Sequence, residues 1–586
     1  MKTAIGIVLI GSLALSGCAG IHSRQPQNEP TDQTAAEPAA PPAEEKLRPF
    51  PDDSFYDLLV AEFALRRGAY DLALGNYMQQ ARATHDIGVT ARAAQLAQFL
   101  RSDRAALDAS QLWVAQEPDD PEAQYTLATQ LAKAQRPMEA LPHMVKVLDA
   151  GAKANFAVIA AGALQLPEQT QTDLLDAFNK LLETHKDNID LMTGKALLLQ
   201  QLGHKDEALT LIRKVLAQSP DETYAIIIEA KLLEETGRQQ EAFARLEAMV
   251  KENPYNRRLR LQYARLLTRT DMNRAREQFA ILVQQAPDDP DLLLSLALVT
   301  RETGELDDAR SYFNQLLQTG QHSQEAHFYL GQIAEQQGDR AGAIRQYEQI
   351  TPSEDFFPAL GRILELRLQN DDLAGARKYL RDLRERYPQL AVRLYMVESE
   401  LLLQTRQYQA GNELLSDGLK QFPQQPNLLY ARSLFSEKRR DVPLLEKDLR
   451  AILAKDPDNV VALNALGYSL ANLTNRYDEA YGLINRALAQ KPDDPAILDS
   501  LGWVEYHRGN IERARQLLEK AYAAFPDPEV AGHYGEVLWV QGEREQARAI
   551  WLKALQAEPD NEQIRDLLQR YAPDALPRRA PQPEQP

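Results

Sequence analysis

The side chains that could carry out chemistry are few in this sequence and widely scattered. Of the nine histidines, only His322 and His327 lie close together, in the segment QHSQEAH, which also contains Glu325. Two imidazoles and a carboxylate are a possible set of metal ligands. The simpler interpretation, which we favour, is a loop histidine and a helix histidine beside an ordinary acidic residue, with no metal bound.

None of the compact catalytic motifs occurs in the chain. There is no glycine-rich loop ending in Lys-Ser or Lys-Thr, no G-x-S-x-G elbow and no H-E-x-x-H pair. The abundant carboxylates are expected on solvated helix faces. A net charge of −18 argues against general nucleic-acid binding, which requires a basic surface. The sequence therefore predicts a protein that is not an enzyme, needs no cofactor and has no nucleic-acid partner.

The single cysteine, Cys18, stands where a lipid can be attached. Residues 1–17 predict an export signal, because Lys2 is followed by an apolar run shorter than the about 20 residues that span a bilayer. The sequence LSGC that ends this run resembles the bacterial lipobox, whose cysteine is lipidated and becomes the mature N-terminus. Cys18 is then a lipidation site that carries palmitate-type chains. The alternative is an ordinary signal peptide followed by a chance cysteine.

The residues that follow Cys18 predict a tether and a location. Ala19 and Gly20 do not include the aspartate that retains such lipoproteins in the inner membrane. The resemblance therefore implies a lipid anchor in the periplasmic face of the outer membrane of a Gram-negative bacterium. Residues 18–51 are rich in Pro, Ala, Glu and Gln. Such a segment cannot bury enough apolar surface to fold, so we expect a disordered tether between the membrane and the body.

Small residues recur with a period near 34 through most of the remaining chain. Helix-forming residues dominate between them. This pattern is typical of stacked helix–turn–helix units, and it resembles the tetratricopeptide repeat (TPR). The sequence thus predicts an all-α fold, a TPR α-solenoid in which the repeats wind into a right-handed superhelix. The clearest set is Gly502, Gly509, Ala514, Ala521 and Pro526, repeated 33 residues later as Gly535, Gly542, Ala547, Ala554 and Pro559.

The spacing divides the chain into stretches of different regularity, with about 13 or 14 repeats in all. The terminal helix is expected to cover the open end of the array, and the tail after it to be disordered. The predicted segments are a signal peptide (1–17), the lipidated cysteine and tether (18–51), N-terminal, partly degenerate repeats (52–188), central repeats (189–390), degenerate repeats (391–459), regular C-terminal repeats (460–560), a capping helix (561–572) and a tail (573–586).

Function in such arrays lies on the concave groove, which the first helix of each unit lines. Aromatic residues with polar neighbours at these positions suit an extended peptide or a protein surface. The alternative is that Trp503 and Trp539 simply pack between helices. The Lys/Asn clamp that holds a C-terminal carboxylate in some arrays is missing from these positions. The predicted client-binding residues are Asn464, Tyr468, Asn472, Asp499, Trp503, Tyr506, Glu536 and Trp539.

Two further surfaces are candidates for a partner. Phe55, Tyr56 and Leu59 lie where the tether joins the first repeat. They either staple the first helix or form an apolar docking surface for a partner near the membrane. Seven arginines crowd one unit between Arg257 and Arg276. They either form a solvated face that pairs with its neighbours or a docking patch for an acidic segment.

A lipobox, a Pro/Ala/Glu tether and a full-length repeat array together resemble the outer-membrane TPR lipoproteins of Gram-negative bacteria. The order of weak and strong units, ending in ALNALGYSLAN and LDSLGWVEYHRGN, is most like members that partner a protease. The resemblance implies a non-catalytic adaptor that binds a periplasmic carboxy-terminal processing serine protease and presents peptidoglycan hydrolases for proteolysis. The alternative is an assembly factor for envelope machinery such as polysaccharide export or secretin assembly.

Overall fold

In a computed structural model, the chain is a succession of short helices that pack in sequence order. The structure describes residue 51 and residues 53–576, which contain 31 α-helices, three short 3-10 helices and no strand. None of these helices is long and apolar enough to cross a membrane. Cys18, the signal peptide, the tether before residue 51 and the tail after residue 576 lie outside the described residues, so their roles stay predictions.

The chain divides into two compact units, whose α-helices are between five and seventeen residues long. The first unit ends at Asn253. Its helices are α1 (Ser54–Arg66), α2 (Tyr70–Thr84), α3 (Ile87–Phe99), α4 (Asp103–Gln116), α5 (Pro121–Lys133), α6 (Pro137–Asp149), α7 (Phe156–Ala160), α8 (Glu168–Thr184), α9 (Ile189–Gln201), α10 (Lys205–Gln218), α11 (Thr223–Glu235) and α12 (Gln239–Glu252).

The second unit begins at Pro254. Many of its helices begin after an Asp or Asn whose side chain accepts a hydrogen bond from the first turn, as Asp494 does. Its helices are α13 (Arg257–Leu267), α14 (Met272–Gln285), α15 (Pro290–Glu302), α16 (Leu306–Thr319), α17 (Ser323–Gln336), α18 (Arg340–Tyr347), α19 (Phe356–Leu368), α20 (Leu373–Arg386), α21 (Ala391–Gln404), α22 (Tyr408–Gln421), α23 (Pro426–Lys438), α24 (Val442–Lys455), α25 (Val460–Leu473), α26 (Tyr477–Gln490), α27 (Pro495–His507), α28 (Ile511–Ala524), α29 (Pro528–Val540), α30 (Arg544–Ala557) and α31 (Glu562–Tyr571).

Pairs of successive helices form fourteen hairpins, namely α1–α2, α3–α4, α5–α6 and every pair from α9–α10 to α29–α30. Two helices and two short turns account for the period near 34 residues. The predicted all-α solenoid of helix–turn–helix repeats is confirmed. The number of hairpins agrees with the 13 or 14 repeats that the sequence predicts.

The small residues of the repeat lie where helices come closest. Ala514 and Ala521 are completely buried. A Cβ atom on Gly502 would lie 2.6 Å from Cγ of Leu518, so α27 and α28 approach too closely for a side chain there. Gly509 follows α27 with a φ of +83°, a backbone conformation that favours glycine. The spacing of these residues therefore marks packing contacts and not a reactive site.

Residues 155–188 depart from the hairpin pattern. Helix α7 has only five residues and packs against α9, while α8 is longer than the other helices. The rings of Phe156 and Phe178 meet edge to face at 6.1 Å. A Cβ atom on Gly194 would lie 2.6 Å from Cβ of Phe156. This irregular stretch is thus anchored by two buried aromatic rings instead of small residues at fixed offsets.

Residues 391–459 form two complete hairpins, α21–α22 and α23–α24, although their repeat spacing is weak. Gly411 stands where alanine is usual, and the ring of Phe435 fills the space that a side chain would need. A Cβ atom on Gly411 would lie 2.1 Å from Cε1 of Phe435. The larger ring therefore compensates for the smaller residue.

Buried ion pairs also stabilise this stretch, one within the α23–α24 hairpin and one between α21 and the preceding helix α20. The carboxylates of Glu398 and Asp448 are each only 1% exposed. Asp448 accepts hydrogen bonds from Nε and Nη2 of Arg432 at 2.8 and 2.7 Å. Glu398 accepts from Nε of Arg377 at 3.0 Å and from Nη1 of Arg384 at 2.7 Å. Each buried carboxylate is thus matched by a guanidinium group, as burial of charge requires.

One contact in the second unit joins residues that are far apart in the sequence. Nη1 of Arg406, in the turn between α21 and α22, donates to Oε1 of Glu562 at the start of α31, at 2.8 Å. The two residues are 156 positions apart, and both side chains are more than half exposed. The array between them therefore curves until its ends meet.

Candidate protein-binding surfaces

Helix α1 exposes an apolar face. Phe55 is 76% exposed, Tyr56 68% and Phe63 53%, and Leu59 is also exposed. Within the described residues, eight of the fourteen large exposed apolar side chains lie between residues 55 and 99. Among the residues that the structure describes, α1 is the first helix. We call α1 with these four side chains the N-terminal apolar face.

A groove of about 600 Å³ lies beside this face. Phe55 and Leu59 line it together with Val89 of α3. At its rim, Glu62 accepts a hydrogen bond from the hydroxyl of Tyr77 and forms an ion pair with Arg92 at 3.6 Å. Tyr56 lies on the same helix but not in the lining. Both alternatives, a staple on the first helix and a docking surface, stay open for Phe55 and Tyr56.

The predicted groove residues lie on the first helices of the last three hairpins, α25, α27 and α29. Their burial differs strongly from one to the next. Asp499 and Trp503 are buried, and Asn472 is exposed. The half-buried residues are Asn464, Tyr468, Tyr506, Glu536 and Trp539.

The centre of this surface is His533 of α29, which the sequence pattern alone did not single out. Its Nδ1 lies 3.0 and 3.1 Å from the two carboxylate oxygens of Asp499. Its ring stacks on the indole of Trp503, with centroids 4.1 Å apart. His533 follows Asp499 by 34 residues, one repeat period. Extending the groove positions by that period would have identified it.

The surroundings of His533 favour its charged form. Burial by itself lowers the pKa of His533, but the charge and the hydrogen bond of Asp499 raise it more, and Glu529 and Glu536 add to the rise. The pKa of His533 therefore lies above its ordinary value. The neighbouring His507 shifts the other way, because burial and the charge of His533 lower its pKa. The pKa values of the two histidines are thus shifted in opposite directions.

This arrangement predicts that the last hairpins lose stability as the pH rises. The pKa of an unfolded histidine is about 6.5. Because the pKa of folded His533 is higher, its charged pair with Asp499 adds stability to the folded state. This added stability is fully present below the pKa of the unfolded histidine. The added stability is lost as the pH rises through the folded-state pKa. If the folded histidine binds a proton tenfold more tightly than the unfolded one, the added stability is about 1.4 kcal/mol.

The measurement is amide hydrogen exchange of α27 and α29 between about pH 6 and pH 8, corrected for intrinsic exchange. We expect His533→Gln to remove most of the pH dependence, whereas His85→Gln in the first unit leaves it unchanged. The groups that face His533 are Asp499, Glu529 and Glu536, with the hydroxyl of Tyr468 and the ring of His507. An unchanged slope in His533→Gln would assign the dependence to those groups instead.

Acidic and aromatic side chains surround His533. The hydroxyl of Tyr468 donates to Oε1 of Glu529, and its ring lies 5.9 Å from that of His533. On α23, Glu437 accepts a hydrogen bond from Oγ of Ser469 at 3.2 Å. Burial raises the pKa of Glu437. Helices α23, α25, α27 and α29 together present this acidic and aromatic surface, which we call the inner face.

Trp539 and Glu536 contact the terminal helix. The ring of Trp539 lies 5.8 Å from that of Trp551 and 5.6 Å from that of Tyr571 in α31. The hydroxyl of Tyr571 donates to Oε1 of Glu536 at 2.9 Å. Packing between helices therefore accounts for Trp539. Trp503 differs, because it stacks on Tyr506 and His533 within the inner face.

His322 and His327, the histidine cluster of the sequence, each contact a polar side chain of a neighbouring helix. Nε2 of His322 lies 2.7 Å from Oδ1 of Asp291, and Nδ1 of His327 lies 2.8 Å from Oε1 of Gln346. Among the residues that the structure describes, no group of three or more His, Cys, Asp or Glu side chains could hold a metal ion.

The arginine-rich unit contains α13 and α14, and several of its arginines have local partners. Arg260 is 7% exposed and donates from Nη2 to the carbonyl oxygen of Pro254 at 2.8 Å. Arg276 forms an ion pair with Glu305. These contacts favour a face that pairs with its neighbours over a free docking patch.

Comparison with known proteins agrees with the repeat architecture. One tetratricopeptide repeat model matches residues 193–257, 265–324, 301–355 and 446–495, and a second matches residues 506–571. The TPR repeat-containing protein PA4667 of Pseudomonas aeruginosa is 43% identical over 533 residues, which cover 91% of this chain and 90% of that protein.

Two solved structures are similar to the chain at low sequence identity. A thermophilic TPR protein from Thermus thermophilus is 24% identical, with a TM-score of 0.28 over 30% of this chain and 95% of that one. A chain of the APC/C hetero-tetramer Cut9–Hcn1 is 14% identical, with a TM-score of 0.27 over 83% of this chain and 97% of that one.

Proposed function

We propose a specific role for this chain, which belongs to the TPR repeat-containing proteins and is a protein-binding scaffold. In that role it is an outer-membrane lipoprotein that binds a periplasmic carboxy-terminal processing serine protease and presents peptidoglycan hydrolases to it. The order of weak and strong repeats resembles LbcA, the lipoprotein that partners this protease in pseudomonads. No catalytic step is assigned to the scaffold itself.

The observation that carries the proposal is the N-terminal apolar face. A contiguous exposed apolar surface is typical of a protein–protein contact, and aromatic residues contribute strongly to such contacts. Phe55, Tyr56 and Phe63 are each more than half exposed on one helix. This helix follows the predicted tether directly, so a partner bound there would sit near the membrane. These features support docking of the protease at this end of the chain.

The inner face supports the second part of the role, which is capture of a client. It combines buried aromatic rings with carboxylates on four successive first helices. Binding the protease and the client on one scaffold turns their encounter into an effectively intramolecular one, at an effective concentration on the order of millimolar. The scaffold would thereby accelerate proteolysis without touching the scissile bond.

The docking role predicts the result of a substitution in α1. We expect Tyr56→Ala combined with Phe63→Ala to reduce co-purification of the protease from solubilised envelopes by about tenfold or more, because two aromatic contacts are lost. Tyr255→Ala is the matched control, since Tyr255 is 86% exposed but lies in another part of the chain. Circular dichroism checks that each variant is folded.

Two results would contradict this assignment in different ways. If the double variant still retains the protease, the docking surface lies elsewhere on the chain. If the unaltered chain retains pore or synthase subunits and no protease, the chain is an assembly factor for envelope machinery.

The lipid anchor predicts a second result. Replacing Cys18 by alanine is expected to abolish incorporation of labelled palmitate and to release the protein from the membrane fraction, because the chain contains no other cysteine. Fractionation of cells that express each form measures this. A Cys18→Ala protein that stays with the outer membrane would show that something other than the lipid holds it there.

A further inference from the structure

We propose that the inner face binds an extended peptide segment that carries an arginine or lysine side chain. The inference deepens the proposed function and rests on it, because it assigns a chemical class to the client segment that the scaffold would capture. Three features of the inner face support it, namely its unbalanced carboxylates, its unpaired hydrogen-bonding groups and its half-buried tyrosine rings.

The carboxylates of the inner face outnumber its cations. Asp499 faces the buried His533, which balances one charge. Glu437 accepts a hydrogen bond from the hydroxyl of Ser469, and Glu529 accepts one from the hydroxyl of Tyr468. Within the described part of the chain, no lysine or arginine forms an ion pair with Glu437 or Glu529. A cationic side chain placed between these two carboxylates would find charge-assisted acceptors that neutral hydroxyls do not satisfy.

Two buried polar atoms on the inner helices have no hydrogen-bond partner in the protein. They are Nε1 of Trp503, a donor, and Oδ1 of Asn464, an acceptor. Trp503 is only 8% exposed, and leaving a buried polar group unpaired is unfavourable. A peptide backbone offers a carbonyl oxygen and an N–H group within each residue. An extended segment that displaces the side chains covering these atoms can therefore pair with both.

Ring surfaces on the inner face suit a guanidinium or ammonium group. Tyr468 and Tyr506 are half-buried, so part of each ring is accessible. A cation over an aromatic face is attracted by the electrons of the ring, and more strongly where water is excluded. The repeat array already uses this contact nearby, because the guanidinium of Arg508 lies 4.0 Å from the centre of the Tyr481 ring. Acidic segments are excluded by the same carboxylates that attract basic ones.

The test uses the full chain and a labelled probe peptide. The probe is fluorescein-labelled Gly-Ala-Arg-Ala-Ala-Arg-Ala-Gly, and the control peptide carries citrulline, which has the shape of arginine without its charge. Fluorescence anisotropy measures binding to the unaltered chain and to variants. We expect the citrulline peptide to bind at least about tenfold more weakly, which is about 1.4 kcal/mol.

Substitutions separate the contributions of charge and hydrogen bonding. Glu437→Gln with Glu529→Gln is expected to weaken binding of the arginine peptide about tenfold and to leave that of the citrulline peptide unchanged. Trp503→Phe keeps an aromatic ring against His533 but removes the donor, and is expected to weaken both peptides equally. Trp113→Phe is its matched control, because Nε1 of Trp113 is also buried without a partner but lies in the first unit.

Three outcomes would overturn the inference. Equal binding of both peptides would show that positive charge is not recognised. Unchanged binding by the double glutamine variant would place the site elsewhere. A chain ending at Leu576 that binds the arginine peptide about tenfold more tightly would identify its own tail, with Arg578 and Arg579, as the occupant. The peptide assay contains no protease. Its outcome therefore does not decide the co-purification experiment, which tests the proposed function separately.

Discussion

Replacing Asp448 by alanine is expected to lower the free energy of unfolding of the α23–α24 hairpin by about 3–5 kcal/mol. The carboxylate of Asp448 is 1% exposed and receives two hydrogen bonds from Arg432, whose side chain is itself mostly buried. Removing it leaves a buried guanidinium without its counter-charge. That loss exceeds what a single surface ion pair contributes, which is about 0–1 kcal/mol.

Native-state hydrogen exchange measures this effect, because a repeat array opens locally and its unfolding is not described by one global value. The control is Asp417→Ala, which breaks the exposed pair with Lys420 and is expected to change stability by less than about 1 kcal/mol. Replacing both partners, Asp448→Leu with Arg432→Met, is expected to restore most of the loss. A double variant as unstable as Asp448→Ala would mean that the ion pair is not the cause.

Replacing Trp551 by alanine is expected to destabilise the end of the array by about 3–5 kcal/mol, because it opens a large cavity. Trp551 is completely buried and its ring lies 5.7 Å from that of Tyr571 in α31. A Cβ atom on Gly535 would lie 2.2 Å from Nε1 of Trp551, so the indole also covers the closest approach of α29 and α30. Its loss therefore loosens both the last hairpin and the terminal helix.

Hydrogen exchange of α29, α30 and α31 is again the measurement. In a repeat array each unit contacts only its neighbours, so we expect protection in the first unit to be unchanged. The matched substitution is Trp113→Ala, which is expected to act on the first unit alone. A uniform loss of protection along the whole chain after Trp551→Ala would contradict nearest-neighbour stability.

The sequence predicts the helices well because their closest contacts recur at fixed offsets. The positions of Gly502 and Ala514 require small residues in each repeat, so the spacing of small residues identifies the hairpin. Residues 155–188 carry no such signal, since Phe156 and Phe178 stabilise them through a contact that lies outside the repeat spacing. The ion pair between Asp448 and Arg432 is equally hidden, because neither residue is part of the repeat rule.

The candidate site was predicted only in part. Asp499, Trp503 and Tyr468 were identified from their positions on the first helices, and the structure brings their side chains together around His533. The position of His533 follows from Asp499 by one repeat period, but its burial beside that carboxylate is not visible in one sequence. Trp539 occupies a similar position to Trp503, but its ring packs against that of Tyr571 in α31.

The contact between Arg406 and Glu562 has a consequence for the order of events in binding. The contact joins the two ends of the stretch that contains α23, α25, α27 and α29. An exposed ion pair contributes only about 0–1 kcal/mol, so we expect this contact to open readily. Because salt weakens an exposed ion pair, we expect a client that needs the array open to associate faster at raised ionic strength, and its association rate at two salt concentrations measures this.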